Sequence, residues 1–161
     1  MIISIRPITP ELAEAVIRWA QLPACSEFFR NWPPLQDWNR PDLAAVKIEW
    51  GYGVYEDERL IGVIQLYFAN RAAQTVEMGM CLGEKTEGDR SEILCEITRL
   101  MKQYLFEDQG FQKVSMRILT HRDQLQERLC ELGFRVEGTL KRSCKLNGQL
   151  QDERLLSIFK E

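Results

Sequence analysis

The hydrophobic positions change period several times along the chain, and each change marks an element. Ile3 and Ile5 alternate with polar neighbours, which predicts a short strand over Ile2–Arg6. Thr9-Pro10 then reads as a helix start. Threonine caps, and proline occupies the first helical position, where a missing N–H is harmless. Leu12, Val16, Trp19 and Ala20 follow at helical spacing. An aromatic, proline-rich segment spans Phe28–Pro41, and Asp42 caps a further short helix through Ile48. Gly51–Tyr55 and Arg59–Ala69 are β-rich runs around a polar turn, which predicts a hairpin. Thr75–Leu82 is a third strand.

Asp89–Glu107 carries the strongest helical signal. Ile93, Leu94, Ile97, Leu100, Met101, Tyr104 and Leu105 form one apolar stripe of 3.6-residue period. Gly110 ends it. Val114, Met116 and Ile118 alternate in a buried strand over Lys113–Leu119. Asp123-x-x-Gln126 has the form of a capping box for a helix with Leu125, Leu129 and Leu132 inward, closed by Gly133. Arg135–Leu146 and Gln151–Phe159 flank Asn147-Gly148, a strong hairpin signal. The predicted order is strand, helix, helix, three strands, long helix, strand, helix, hairpin.

Composition narrows the function classes. The 161 residues suffice for one domain over 1–161 with a full core, and 45% apolar with 28% charged is ordinary for a globular protein. A net charge of −3 lacks the basic field a nucleic-acid partner needs. The N-terminus is too short and too alternating for a signal peptide, and no apolar run approaches the roughly 20 residues of a membrane span. Five scattered cysteines without a CxxC pair, and one histidine, suggest reduced thiols in a cytoplasmic protein rather than a disulfide framework or a metal site.

Leu132-Gly133-Phe134-Arg135-Val136-Glu137-Gly138 gives an LGF-x-x-EG element, and Asn147-Gly148-x-x-x-Asp152 gives an NG-x-x-x-D element. These motifs, their spacing and the element order resemble the GCN5-related N-acetyltransferase (GNAT) family, most closely its ribosomal-protein and spermidine acetyltransferase branch. The resemblance covers nearly the whole chain. It implies an α/β fold with a mixed, mostly antiparallel sheet flanked by helices. Within that sheet, Thr75–Leu82 and Lys113–Leu119 would be adjacent and parallel and would diverge at their C-terminal ends. It also implies acetyl-CoA, with pantetheine pairing on the backbone of Met80, Cys81 and Leu82 and pyrophosphate on the loop Lys85–Ser91.

That loop departs from the family pattern Q/R-x-x-G-x-G/A. In Lys85-Thr86-Glu87-Gly88-Asp89-Arg90 only Gly88 matches as a small residue, and Arg90 replaces the second. Lys85, Gly88, Asp89, Arg90 and Ser91 are the positions the resemblance assigns to phosphate. Glu84, Glu87, Asp89 and Glu92 crowd the helix start, and Asp89-x-x-Glu92 supplies its own capping anion. Weak or absent acetyl-CoA binding is the expectation.

The catalytic slots are altered as well. By resemblance, an asparagine belongs at Arg122 and a proton-donating tyrosine at Leu129. His121 and Cys130 lie one residue from those slots. Histidine titrates near neutrality, and an unperturbed thiol near about 8.5. Either is a candidate for proton transfer, beside the plainer readings of loop histidine and helix-packed cysteine. Glu77 shares a strand face with Gly79 and Cys81 and is the best candidate base. The functional expectation is acetyl transfer from acetyl-CoA to a primary amine of a small molecule or a protein N-terminus, without a metal. The alternative is a GNAT-fold binding or assembly module that has lost CoA binding. Neither a nucleic acid nor a membrane is expected as partner, and a homodimer remains open.

Overall fold

The computed structural model describes residues 2–7, 9–30 and 51–161. The expected helix over 42–48, and the part of the aromatic segment beyond Arg30, lie outside the described residues. Among the described residues, seven strands form one sheet in the order β1-β2-β3-β4-β5-β7-β6. They are β1 (Ile3–Pro7), β2 (Gly51–Glu56), β3 (Arg59–Asn70), β4 (Thr75–Leu82), β5 (Lys113–Leu119), β6 (Arg135–Leu146) and β7 (Gln149–Phe159). The α-helices among the described residues are α1 (Pro10–Ala20), α2 (Arg90–Gln103) and α3 (Asp123–Glu131). β4 and β5 are parallel, as expected, and the chain between them contains α2, the crossover that a parallel pair requires. The mixed α/β sheet with a single parallel pair is the fold class the sequence implied.

Two compact units are distinguishable. The first comprises Met1–Gln65 and Met80–Gly88. Its α1 begins as the sequence predicts: Thr9 is the N-cap, and its hydroxyl accepts from Leu12 N at 3.2 Å. Leu12, Ala15, Val16 and Trp19 cluster with Tyr55, Leu60, Val63 and Cys81. β2 pairs antiparallel with β1 and β3, and the hairpin turns at Asp57-Glu58, where Asp57 has φ 53°.

The second unit comprises Leu66–Gly79 and Asp89–Glu161. Asp89 caps α2, its carboxylate accepting from Glu92 N at 3.0 Å. Ile93, Ile97 and Met101 are buried along the expected stripe. The regular helix stops at Gln103, earlier than the periodicity suggests, and continues as one wider π turn over Tyr104–Asp108. That turn buries the consecutive Leu105 and Phe106, and Gln109 N donates to Tyr104 O, five residues back.

The expected capping box at α3 does not form. Arg122 is the N-cap residue and offers no side-chain cap, Asp123 lies inside the first turn, and Gln126 accepts from Arg154. Arg154, 28 residues from Gln126, also pairs with Asp123 at 3.6 Å. Leu129 is buried, whereas Leu125 and Leu132 are half-buried.

The final hairpin turns at Asn147-Gly148 with φ of 52° and 80°, both in the left-handed region that a tight two-residue hairpin turn needs. Asp152 of the NG-x-x-x-D element accepts from Arg142 N at 2.8 Å and Lys141 Nζ at 3.2 Å. It ties down the register shift between Leu140 and Cys144, so this motif position has a structural task.

Candidate functional site

The loop that follows β4 in the first unit is gripped at almost every residue. Gly83 N and Glu84 N donate to Ile61 O at 2.9 and 3.3 Å. A Cβ on Gly83 would lie 2.2 Å from the Trp19 ring, so only glycine fits beneath the fully buried indole. Glu84 accepts from Arg18 Nη2 at 2.7 Å and Trp19 Nε1 at 2.9 Å. These bonds, Arg18 first and then Trp19, hold its carboxyl below the ordinary glutamate range.

Further along, Arg59 Nη2 donates to Lys85 O at 2.7 Å. Glu56, with 2% of its side chain exposed, receives Glu87 N at 2.9 Å on Oε1 and Gly88 N at 2.8 Å on Oε2. Arg59 Nη2 completes the set at 2.9 Å. The Glu87 N–H, then the Gly88 N–H, then Arg59, depress the Glu56 pKa against the opposing effect of burial. Beside this hairpin an open cleft of about 540 Å³ is bordered by Glu11, Glu56, Asp57, Glu58, Arg59 and Glu87.

Of the residues expected at the pyrophosphate, Lys85, Asp89, Arg90 and Ser91 are exposed and Gly88 is half-buried. The N–H groups of Glu87, Gly88 and Glu92 are all held by the protein's own carboxylates. In the same strand, Met80 is half-buried while Cys81 and Leu82 are buried.

The parallel ladder of β4 with β5 is short. Thr75↔Lys113, Val76↔Val114 and Glu77↔Ser115 are its rungs; β4 then continues to Leu82 and β5 to Leu119. At the last rung Glu77 meets Arg117. The guanidinium donates from Nε to Oε2 at 3.0 Å and to Oε1 at 3.3 Å, and from Nη2 to Oε1 at 3.1 Å. Burial works against the Arg117 charge, yet the Glu77 hydrogen bonds and charge raise its pKa above the ordinary value. Next to this pair, Ser115 and Ser157 share a 2.7 Å hydrogen bond, and Ser157 Oγ donates to Glu137 Oε2 at 2.9 Å. A hydroxyl has one proton, so Ser115 is the donor to Ser157. Lys113 Nζ closes the network on Glu137 Oε2 at 3.0 Å.

His121 and Cys130 are both exposed, and Leu129, at the tyrosine slot, is buried. Among the described residues Glu77 hydrogen-bonds with Arg117 and with neither His121 nor Cys130. Periodicity missed Glu56, Arg59 and Arg117. The first two flank a hairpin turn and read as ordinary turn polarity. Arg117 carried a signal, being a charge inside the Val114–Leu119 apolar run.

The depressed carboxyls of Glu56, Glu84, Glu137 and Asp152 dictate an acid limit. For Glu137, Lys113 is the main cause; for Asp152, the Arg142 N–H and then Lys141. A folded-state pKa below the unfolded one adds stability above the unfolded value and loses it as pH falls through the folded value. Denaturant midpoints are therefore expected to be flat above about pH 5 and to fall progressively below the ordinary glutamate value of 4.5. A midpoint that holds steady through that acid range contradicts the assignment.

Comparison with known proteins places this architecture. Residues 3–135 match the family model of the acetyltransferase (GNAT) domain. The probable N-acetyltransferase YjcK of Bacillus subtilis (strain 168) is 28% identical over 114 residues, covering 69% of this chain and 62% of YjcK. Spermidine N-acetyltransferase from Vibrio cholerae, solved in complex with CoA and spermine, superposes with a TM-score of 0.80 at 15% identity, covering 98% of this chain and 95% of that one. A crystal structure of a probable acetyltransferase gives 0.74 at 21% identity, covering 98% and 93%. With its parallel strand pair, its C-terminal hairpin and a family match over residues 3–135, the chain belongs to the GNAT acetyltransferase family.

Proposed function

We propose that this protein transfers an acetyl group from acetyl-CoA to a primary amine, on a small molecule or a protein N-terminus. The observation that carries this reading is the truncated β4–β5 ladder within a GNAT fold. Pairing ends at Glu77↔Ser115, and the backbone of Met80, Cys81 and Leu82 is the proposed partner of the pantetheine amides. Lys85, Gly88, Asp89, Arg90 and Ser91 are proposed around the pyrophosphate. The V. cholerae relative, solved with spermine, supports an amine as acceptor and an assignment near the spermidine acetyltransferase branch. A cytoplasmic location belongs to the same reading.

Glu77 is the proposed base. Its carboxylate accepts the proton that the amine sheds as its lone pair attacks the acetyl carbonyl carbon, while the thiolate of CoA leaves. Arg117 engages both oxygens, so an amine reaches the carboxylate by displacing the longest contact, Nε to Oε1 at 3.3 Å. Cys130 and His121 are the proposed alternatives for proton transfer to or from the reacting groups. Both are exposed, which leaves them accessible to solvent protons.

Calorimetry with acetyl-CoA tests the reading. Binding is expected to be weak, because Asp89 and Glu92 place carboxylates at the start of α2 and each opposes an anion by about 1 kcal/mol. The double change Asp89→Gly with Glu92→Ala is expected to tighten it roughly tenfold or more. A melt run in parallel checks that losing the cap leaves the fold intact. Tight binding by the unaltered chain would remove the charge argument. Absence of binding in both proteins would favour a GNAT-fold binding module instead.

A further inference from the structure

We propose that Glu56 is a positioning residue for the cofactor loop: its buried carboxylate braces residues 85–88 from the β2–β3 hairpin and so sets the backbone that meets the pyrophosphate of acetyl-CoA. The inference deepens the reading above and rests on it.

The geometry is that of a two-pronged clamp. Oε1 takes Glu87 N and Oε2 takes Gly88 N, at 2.9 and 2.8 Å. Arg59 bridges the clamp, donating from one nitrogen to Glu56 Oε1 and to Lys85 O. Three of the four residues from 85 to 88 are thus held through their main chain, where side-chain identity has no influence. The clamp has a rigid root, since Glu56 and Arg59 are direct partners on the last rung of the β2–β3 ladder.

Energetics favour a brace over an incidental contact. A carboxylate with 2% exposure is unfavourable unless fully hydrogen-bonded. Two backbone N–H groups and a guanidinium provide that, and charge-assisted bonds of this kind are among the stronger ones in proteins. The Glu56–Arg59 pair alone, with Arg59 47% exposed, would contribute little. A rival role is that of an internal anion competing with the pyrophosphate for the same N–H groups. The two roles differ in sign: removing a competing anion would tighten acetyl-CoA binding, whereas removing a brace weakens it.

The test separates the pyrophosphate and the nucleotide it carries from the thioester arm of the donor. Acetyl-pantetheine has the thioester and the pantetheine arm but lacks the pyrophosphate. Glu56→Gln keeps the shape, removes the charge and turns an amide N–H₂ toward one of the two loop donors. It is expected to raise the Kd and KM for acetyl-CoA about tenfold, with the KM for acetyl-pantetheine unchanged. The kcat at saturation should stay within about twofold. Amide exchange at Glu87 and Gly88 should quicken at the same time. Glu58→Gln, the same charge change on the exposed side of the same turn, should move none of these.

Arg59→Lys is the second variant, should Glu56→Gln fold poorly. It keeps the charge but loses the bridge to Lys85, and is expected to weaken acetyl-CoA by roughly threefold with the same selectivity. Equal losses with both donors would show general damage and overturn the proposal, as would unchanged or tighter acetyl-CoA binding. If the unaltered protein binds acetyl-CoA and Glu56→Gln binds it equally, only this inference falls. If the unaltered protein binds neither donor, the acetyl-transfer reading falls and takes this one with it.

Discussion

Trp19→Ala is expected to lower the unfolding free energy by roughly 3–5 kcal/mol, the range for emptying a buried tryptophan site. The side chain is fully buried in the core of the first unit, and its Nε1 holds Glu84 at 2.9 Å. Gly83→Ala is expected to destabilise by about 1–3 kcal/mol through overpacking, because the new methyl would sit 2.2 Å from the indole ring. The φ of Gly83 lies outside the left-handed region, so the contact and not the backbone is the source. The two changes must then couple: Gly83→Ala should have little effect in the Trp19→Ala background, where the ring is gone. Denaturant unfolding of both single variants and the double variant checks this. Simple additivity would mean that Gly83 is required for another reason.

Glu77→Gln is expected to depress kcat for amine acetylation by about 10²-fold at neutral pH, the low end for loss of a general base. The deficit should narrow as pH rises, because a growing share of the amine is already neutral. Arg117 complicates a simple reading, since the same substitution leaves a partly buried guanidinium with a weaker partner. Arg117→Met separates the two effects. If Glu77 only holds Arg117 in place, both variants should lose activity alike, and the loss should not depend on pH. If Glu77 is the base, Arg117→Met keeps a pH profile with the base's ionisation in it, while Glu77→Gln loses that limb. His121→Ala is the comparison variant and should change little, given its exposed loop position. A crippled His121→Ala beside an unaffected Glu77→Gln would move the proton acceptor to the histidine.

The two substitutions differ in how far the sequence announces them. The apolar spacing of α1 places Trp19 on the core face, and Glu77 stands out as a carboxylate in a short strand. Their partners are not announced: Glu84 lies 65 residues from Trp19, and Arg117 lies 40 from Glu77. The cofactor loop follows the same division. Its acidity and its lone matching glycine are plain in the sequence, and Asp89 caps α2 as its spacing indicates. That Glu56, 31 residues earlier, holds the Glu87 N–H is visible only in the fold. A locally read signal also failed at Asp123-x-x-Gln126, because the helix starts one residue earlier than the box needs, with Arg122 as N-cap, and Arg154 from β7 engages both Asp123 and Gln126.

By itself, then, the sequence determined the bounds of β4 and β5, the cap of α1, the stripe of α2 and the turn at Asn147-Gly148. These rest on side-chain period, on capping, and on the φ that Asn-Gly tolerates, all of which act within a few residues. The tertiary structure alone decided that the β4–β5 ladder stops at Glu77↔Ser115, that Arg117 holds Glu77, and that two loop N–H groups close on Glu56. Those are meetings of charges and backbone donors from different strands. No periodicity encodes them, because hydrogen-bond and ion-pair partners are chosen by proximity in space once the apolar faces have packed.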